Sequence, residues 1–278
     1  MRIFPAAKPY LKNIMEAVFA MSLKSAAREQ GLEQTVSLLT AAIPDISGQY
    51  TIAKVDTPYL ERKVRNMHAF QLSLVSSVLE KYENATIVDI GDSAGTHLSY
   101  IMQIYSGKKA LKCVGVNLDA KAVEKIKARG LTAINARAED LHRHDIKADI
   151  FLCFETLEHL TDPCKFLHSL SANTDARYLI LTVPYVRQSR VGLHHIRALR
   201  KRQVFAENTH IFELSPGDWK LIARHSGWDI AEERLYLQYP RWSLLRFTQP
   251  FWRRLDLEGF YGLILERDDT WSSLYKDW

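Results

Sequence analysis

The apolar positions of this chain change their spacing near residue 80. Before it they recur at helical intervals. Stretches near Leu11–Ala27 and Leu32–Ala42 read as helices punctuated by Pro44 and Pro58. Leu60, Val64, Met67, Leu74, Val75 and Val78 place an amphipathic helix over about 59–81. Beyond it, short continuous apolar runs alternate with amphipathic ones. Thr86–Ile90, Leu111–Val116, Leu131–Ile134, Asp149–Phe154 and Tyr178–Val183 read as strands. Thr96–Tyr105, Ala120–Arg129 and Pro163–Leu170 read as helices, the second ended by Gly130. Ser215-Pro216-Gly217-Asp218 has the cap, proline and acidic positions of a helix start, and Gly227 ends that helix. Ile230–Tyr239 and Phe260–Glu266 close the pattern as strands. Strands that are apolar throughout are covered on both faces, which predicts a mostly parallel sheet of about seven strands with flanking helices. The expected organisation is a helical N-terminal extension over 1–80 and a domain over 81–278, with insertions at about 187–209 and 240–257.

Composition adds little to this picture. The 278 residues are 47% hydrophobic and 25% charged, enough for one large core without a disordered tract. No apolar run reaches the roughly 18 residues of a membrane span. The apolar stretch after Lys8 and Lys12 is interrupted by Glu16, so it reads as an amphipathic helix rather than a signal peptide. The three cysteines, Cys113, Cys153 and Cys164, lack metal-ligand spacing, and no metal site is expected. Cys113 and Cys153 sit in apolar, strand-like runs and fit buried free thiols in a reducing, cytoplasmic setting. A net charge of +5 permits an anionic partner without requiring one.

The chemistry concentrates in Val88-Asp89-Ile90-Gly91-Asp92-Ser93-Ala94-Gly95-Thr96, a strand, a turn with two glycines and a helix start. Such a turn lets backbone approach a ligand and presents free N–H groups to it. A dinucleotide fingerprint needs glycines where Ser93 and Thr96 stand. Gly91-Asp92-Ser93-Ala94-Gly95 also satisfies the nucleophile elbow G-x-S-x-G and looks like the motif of hormone-sensitive-lipase-type esterases. The oxyanion-hole glycines such enzymes carry upstream are missing: His68 is the one upstream histidine, and no glycine follows it.

Asp89-x-Gly91-x-Ser93-x-Gly95 resembles the first motif of class I S-adenosylmethionine-dependent methyltransferases. Gly115-Val116-Asn117-Leu118-Asp119 is similar to the family's ribose-binding segment, with Asn117 at the acidic position. Ala136-Arg137-Ala138-Glu139-Asp140-Leu141 looks like its adenine-side stretch, with Arg137 replacing an aspartate. The most specific string, Phe154-Glu155-Thr156-Leu157-Glu158-His159-Leu160-Thr161-Asp162-Pro163, resembles the E-x-L-E-H-L-x-D-P segment of bacterial and ubiquinone-type O-methyltransferases. Thr182-Val183-Pro184, His210-Ile211-Phe212 and Ser226-Gly227-Trp228 fall at further family positions. The likeness, which extends to enzymes of surface-glycan clusters, covers about 85–266. It implies a Rossmann-like α/β fold and S-adenosylmethionine as cofactor, held by Asp89, Gly91, Asp92, Ser93, Gly95, Asn117, Leu118, Ala138, Glu139 and Phe154.

Methyl transfer to a hydroxyl needs alignment, exclusion of water and a base for the acceptor's proton. His159, His210 and Glu155 are the candidates, at or beyond the carboxyl end of the fourth strand. His159 beside Glu158 can equally be a helix-start contact, and His210 a loop anchor. Glu158, Arg187, Arg190, His194 and His195 are candidate acceptor contacts. Glu158 also suits helix-dipole pairing, and the arginines, with Arg197, Arg200, Lys201 and Arg202, suit a solvated helix face. The expected acceptor is a small-molecule, glycan or lipid-linked hydroxyl compound, with phosphate or carboxylate charge in view of these arginines. No N/D-P-P-Y-type target-base motif is present, which argues against nucleic acid. A scaffold that has lost the cofactor remains a rival because of Asn117 and Arg137. In 240–257, Trp242, Phe247, Phe251 and Trp252 stand among Arg241, Arg246, Arg253 and Arg254. They suit peripheral membrane contact, base stacking, or core packing with the arginines outward; helical-face counting favours the last.

Overall fold

The computed structural model describes residues 9–50, 54–144, 146–191, 209–255 and 257–275. Three helices come first: α1 (Pro9–Glu29), α2 (Glu33–Ala42) and α3 (Pro58–Leu79). The alternating region follows as β1 (Asn84–Ile90), α4 (Thr96–Ile104), β2 (Ala110–Asn117), α5 (Ala120–Ala128), β3 (Thr132–Asn135), β4 (Ile150–Phe154), α6 (Pro163–Asn173) and β5 (Tyr178–Pro184). A short ribbon of β6 (Arg190–Val191) and β7 (Phe212–Glu213) precedes α7 (Pro216–His225) and β8 (Trp228–Leu237). Then come α8 (Gln249–Leu255) and β9 (Gly259–Arg267). Tight 3-10 turns occupy Ala138–His144, Leu157–His159 and Leu244–Thr248.

The main sheet has seven strands in the order β3-β2-β1-β4-β5-β9-β8. β1 to β5 run parallel, and β9 runs antiparallel to both its neighbours. The predicted Rossmann-like α/β architecture is therefore the observed one. The period-2 geometry of a strand explains the continuous apolar runs. Ile87, Ile150, Leu152 and Ile180 face a core shared with α2, α3 and α4, while Val88, Phe151, Cys153 and Leu181 face a second core with α6 and α7. Among the described residues no helix is long and apolar enough to cross a membrane.

Helix starts follow the sequence closely. Thr57, Asp119, Asp162 and Ser215 each accept an N–H of the following first turn, and proline opens three of those helices. The α2–α3 connection is held from the side. Arg65 of α3, almost fully buried, donates to the carbonyls of Ile43 (3.0 Å) and Pro44 (2.6 Å) and to Glu61 (2.8 Å). It thereby satisfies carbonyls left without partners beyond the end of α2. Lys125 of α5 donates to Gly48 and Tyr50 carbonyls at 3.1 and 3.2 Å. This strap runs across the turn after β1.

One sequence expectation is corrected here. Of the aromatics in 240–257 only Trp252 enters the core. It is fully buried, packs 4.5 Å from Phe19 and sends its indole N–H to Ser22. Trp242, Phe247 and Phe251 are exposed. The segment does not form one helix: a 3-10 turn leads into the two-turn α8, so a single inward face cannot collect all four rings.

Because Arg65 holds the strap, Arg65→Leu is expected to destabilise the protein by about 2 kcal/mol through loss of its hydrogen bonds to the Ile43 and Pro44 carbonyls and to Glu61. Urea unfolding monitored by tryptophan fluorescence reads this as a lower midpoint.

Candidate active site

The site gathers at the carboxyl ends of β1, β2, β4 and β5. The chain leaves β1 through Gly91 (φ 92°) and enters α4 through Gly95 (φ 72°), both in the left-handed region open to glycine. Between them Asp92 folds back, its Oδ1 accepting the N–H groups of Ala94 (3.2 Å) and Gly95 (2.8 Å). Asp92 is nearly inaccessible. Burial, reinforced by neighbouring Asp89, pushes its carboxyl up to about 6. A carboxyl raised by folding favours its protonated form in the fold. The resulting stability is present below the ordinary aspartate value and lost as pH rises through about 6.

Asp89, also buried, faces His97 of α4, with Nδ1 3.2 Å from Oδ2. His97 Nε2 lies 2.9 Å from Gln71 Oε1, and Gln71 Nε2 donates to Thr182 Oγ1 at 3.0 Å. A buried polar chain thus ties β1, α4, α3 and β5 together. The sequence signal for the role of His97 is its place in the first turn of α4, opposite the strand-end acid Asp89. Phe154, an expected cofactor contact, packs against the His97 ring at 5.0 Å.

Ser93 donates its hydroxyl to the Gln49 carbonyl at 2.7 Å, across to the strap. His97, the histidine nearest to it in sequence, is engaged by Asp89 and Gln71. Among the described residues nothing activates Ser93 as a nucleophile, and its hydroxyl is engaged by the strap. Asn117 is tied into the loops: its Nδ2 donates to the Asp92 carbonyl (3.1 Å) and its Oδ1 accepts the Asp119 N–H (2.8 Å). An aspartate could not make the first bond, which gives asparagine a reason to stand there. Ala136 N–H donates to the Asn117 carbonyl, drawing the 136–139 stretch beside it. Leu118 is exposed, Ala138 is half-buried, and Glu139 accepts from Arg137 at 3.3 Å.

A second cluster follows β4. Glu155 has φ 48°, unusual for a non-glycine residue, and burial pushes its carboxyl up to about 8. Glu158 is fully buried with neither carboxylate oxygen hydrogen-bonded, and burial with the nearby Glu155 raises it strongly. It is a buried acid rather than an open acceptor contact. His159 Nδ1 pairs with the Thr209 carbonyl at 2.8 Å, and its Nε2 is 3.8 Å from Glu158. The His210 ring stands 4.8 Å from that of His159, so these two candidates do meet. His210 Nδ1 lies 2.8 Å from Glu213 Oε1. Burial alone would raise Glu213, but hydrogen bonds from His210 and Arg190 outweigh it and hold its carboxyl below the ordinary range. Glu158, His159 and His210 bring one ligand atom each within 4.8 Å of one another, an N/O set able to hold a divalent ion.

Arg187 and Arg190 do not converge on a common point. Arg187 pairs with buried Glu258 at 3.0 Å and Arg190 with buried Glu213. His194, His195, Arg197, Arg200, Lys201 and Arg202 lie outside the described residues.

The residues after β1 suit a ligand that carries positive charge and hydroxyl groups. Asp92 Oδ2, Glu155 Oε1 and Gln49 Oε1 are buried acceptors with no hydrogen-bond partner, beside a turn built on glycine. An ammonium, a sulfonium and ribose hydroxyls are the groups such acceptors lack.

Gly91 is the tightest point of the turn: a Cβ there would lie 2.1 Å from Thr156 Oγ1. Gly91→Ala should cost about 3 kcal/mol from clash and left-handed backbone. Adding Thr156→Ala should restore the clash part and leave about 1 kcal/mol of backbone cost. Thermal unfolding of both variants reads the difference. At Gly95 an added Cβ meets Ile126 and Leu131 of the core, so a bulky residue there reports folding as well as ligand access.

Known structures share this fold. A putative sarcosine dimethylglycine methyltransferase from Galdieria sulphuraria aligns at TM-score 0.55 and 12% identity, over 75% of this chain and 88% of that one. The [4+2]-cyclase SpnF aligns at TM-score 0.55 and 12% identity, over 88% and 97%. A Burkholderia thailandensis 1,6-didemethyltoxoflavin-N1-methyltransferase, with S-adenosylhomocysteine bound, aligns at TM-score 0.50 and 12% identity, over 96% and 93%. That last overlap necessarily takes in the N-terminal helices. At such identity these likenesses speak for the fold, and the cyclase among them warns that the fold alone does not select a reaction. No curated protein sequence matches the chain significantly. The family model described as a methyltransferase domain matches residues 62–233, more than half of the chain, and the chain belongs to that family, with the fold of the class I S-adenosylmethionine-dependent methyltransferases.

Proposed function

We propose that this protein transfers a methyl group from S-adenosylmethionine to a hydroxyl oxygen of a small, glycan or lipid-linked acceptor. The observation that carries the choice of oxygen is His210, seated on Glu213 and set against His159 beyond β4. A carboxylate at Nδ1 fixes the imidazole so that Nε2 is the basic nitrogen, and it stabilises the imidazolium that forms when a proton is taken. Arg190 keeps Glu213 ionised for that task.

The cofactor, when bound, supplies a methyl group on a sulfonium leaving group. Gly91, Gly95 and the N–H groups at the start of α4 would cradle it, with the orphaned oxygens of Asp92, Glu155 and Gln49 supporting its positive charge and hydroxyls. The strap around Gln49 would exclude water from the same crevice. The acceptor has room in a cleft of about 500 Å3 at the same edge of the sheet, lined by Tyr185, Arg187, Tyr239, Arg241, Phe247 and Glu258. Arg187 shares the Glu258 carboxylate with Arg253, and Arg241 adds a further positive charge, so anionic character in the acceptor would rest on these arginines.

The test is release of S-adenosylhomocysteine against a panel of phenols, glycans, lipid-linked alcohols and amines. Turnover is expected with a hydroxyl acceptor. His210→Ala should lower kcat by about 100-fold with little change in cofactor affinity, and Glu213→Gln should lower it less. Turnover confined to amines, or an unchanged kcat in His210→Ala, would defeat the proposal. Added chelator should leave turnover intact if His210 acts as a base. Loss restored by a divalent metal would instead assign Glu158, His159 and His210 to an ion.

A further inference from the structure

We propose that residues 240–255 dock this protein on an anionic lipid bilayer, with the site edge of the sheet facing the membrane. Four large apolar side chains project from this one segment: Trp242 is 85% exposed, Leu244 84%, Phe247 63% and Phe251 53%. Such a concentration on a soluble face marks a contact surface.

The segment is held firmly while it presents them. Glu29 of α1 accepts the backbone N–H groups of Arg241 (2.7 Å) and Trp242 (3.1 Å). Thr248 meets Ser22 at 3.0 Å, and buried Trp252 packs on Phe19 and Tyr59. The exposed rings are therefore not core residues waiting to fold inward; the inward positions are filled.

Charge selects the occupant. The sequence from Pro240 to Leu255 holds four arginines and no acidic residue. Arg253 pairs with Glu258 through two hydrogen bonds, at 2.7 and 3.1 Å, and shares that one carboxylate with Arg187. Arg241, Arg246 and Arg254 stay exposed among the apolar side chains, and Arg246 lies over the Phe247 ring at 5.1 Å. Tryptophan and phenylalanine beside arginine suit the headgroup boundary of a bilayer: rings enter the acyl region while guanidinium groups meet lipid phosphates. A second copy of this chain would have to set this cationic patch against itself or find an acidic face.

The position also fits. The segment joins the end of β8 to the start of β9, at the edge where β5 and β8 deliver their carboxyl ends. The cleft lined by Tyr185, Arg241 and Phe247 opens there, so an acceptor with an apolar tail would reach it from the bilayer.

Flotation of the full-length protein with vesicles tests this without cofactor or acceptor, so it stands or falls independently of the methyl-transfer reading. The wild type should float with phosphatidylglycerol-containing vesicles and weakly with pure phosphatidylcholine. The double variant Trp242→Ala/Phe247→Ala should bind at least about tenfold more weakly. Arg241→Gln/Arg246→Gln should lose the preference for anionic lipid. Trp271→Ala, an exposed ring beyond the far end of β9, should bind as the wild type does. All these positions are exposed, and unchanged thermal midpoints would confirm that the variants fold. Equal binding by the wild type and the aromatic double variant would overturn the proposal, as would no binding at all. So would a sedimentation-detected dimer that the double variant abolishes.

Discussion

Burial of carboxylates with too few donors at one edge of the sheet is the constraint around which this structure is arranged. Asp89 lies at the end of β1 and Asp92 in the turn after it, with Glu155 and Glu158 in the turn after the adjacent β4. Within reach of the first pair the fold supplies His97 and two backbone N–H groups. That is less than two ionised acids require in a dry setting. The consequence is visible in Asp92 and Glu155, both pushed toward their neutral forms. An edge that withholds donors in this way is prepared for a ligand that brings positive charge.

The surrounding elements make that shortage tolerable. Gln71 and Thr182 carry hydrogen bonds from β5 through α3 to His97, so Asp89 is braced from behind the sheet. Arg65 and Lys125 fasten the 43–50 strap from two sides, which sets Gln49 against Ser93. Beyond β4, the 209–213 segment crosses the Leu157–His159 turn. It is pinned there by Ile211 donating to the Glu158 carbonyl at 2.8 Å, and it brings His210 and Glu213 to His159. The two clusters therefore occupy neighbouring strand ends, an arrangement suited to a donor in one and a proton acceptor in the other.

Most of the sheet was legible because its strands are buried on both faces and read as unbroken apolar runs. The order of helices and strands was legible for the same reason, with capping residues marking the boundaries. The β6–β7 ribbon was not, since two residues per strand leave no period to detect. In the site, the Asp89–Gly95 turn was readable from local sequence alone. His97, Gln71 and Gln49 were not, because each acquires its role by meeting a residue more than five positions away. Asn117 stands at the position expected to meet the ribose; that its amide also bridges two loops depends on which carbonyl lies opposite, which local sequence does not give. The aromatic insert misled helical-face counting because it does not form one continuous helix.

The central claim is that Asp92 after β1 and Glu155 after β4 are held partly protonated until a cationic ligand arrives. The direct measurement is proton exchange on binding S-adenosylmethionine, by titration calorimetry near pH 6.5 in buffers of different ionisation enthalpy. A positive charge favours the carboxylate and lowers its pKa from values near 6 and 8. The account predicts net proton release into the buffer, reduced in Asp92→Asn. A binding enthalpy independent of the buffer, or net proton uptake, would contradict it.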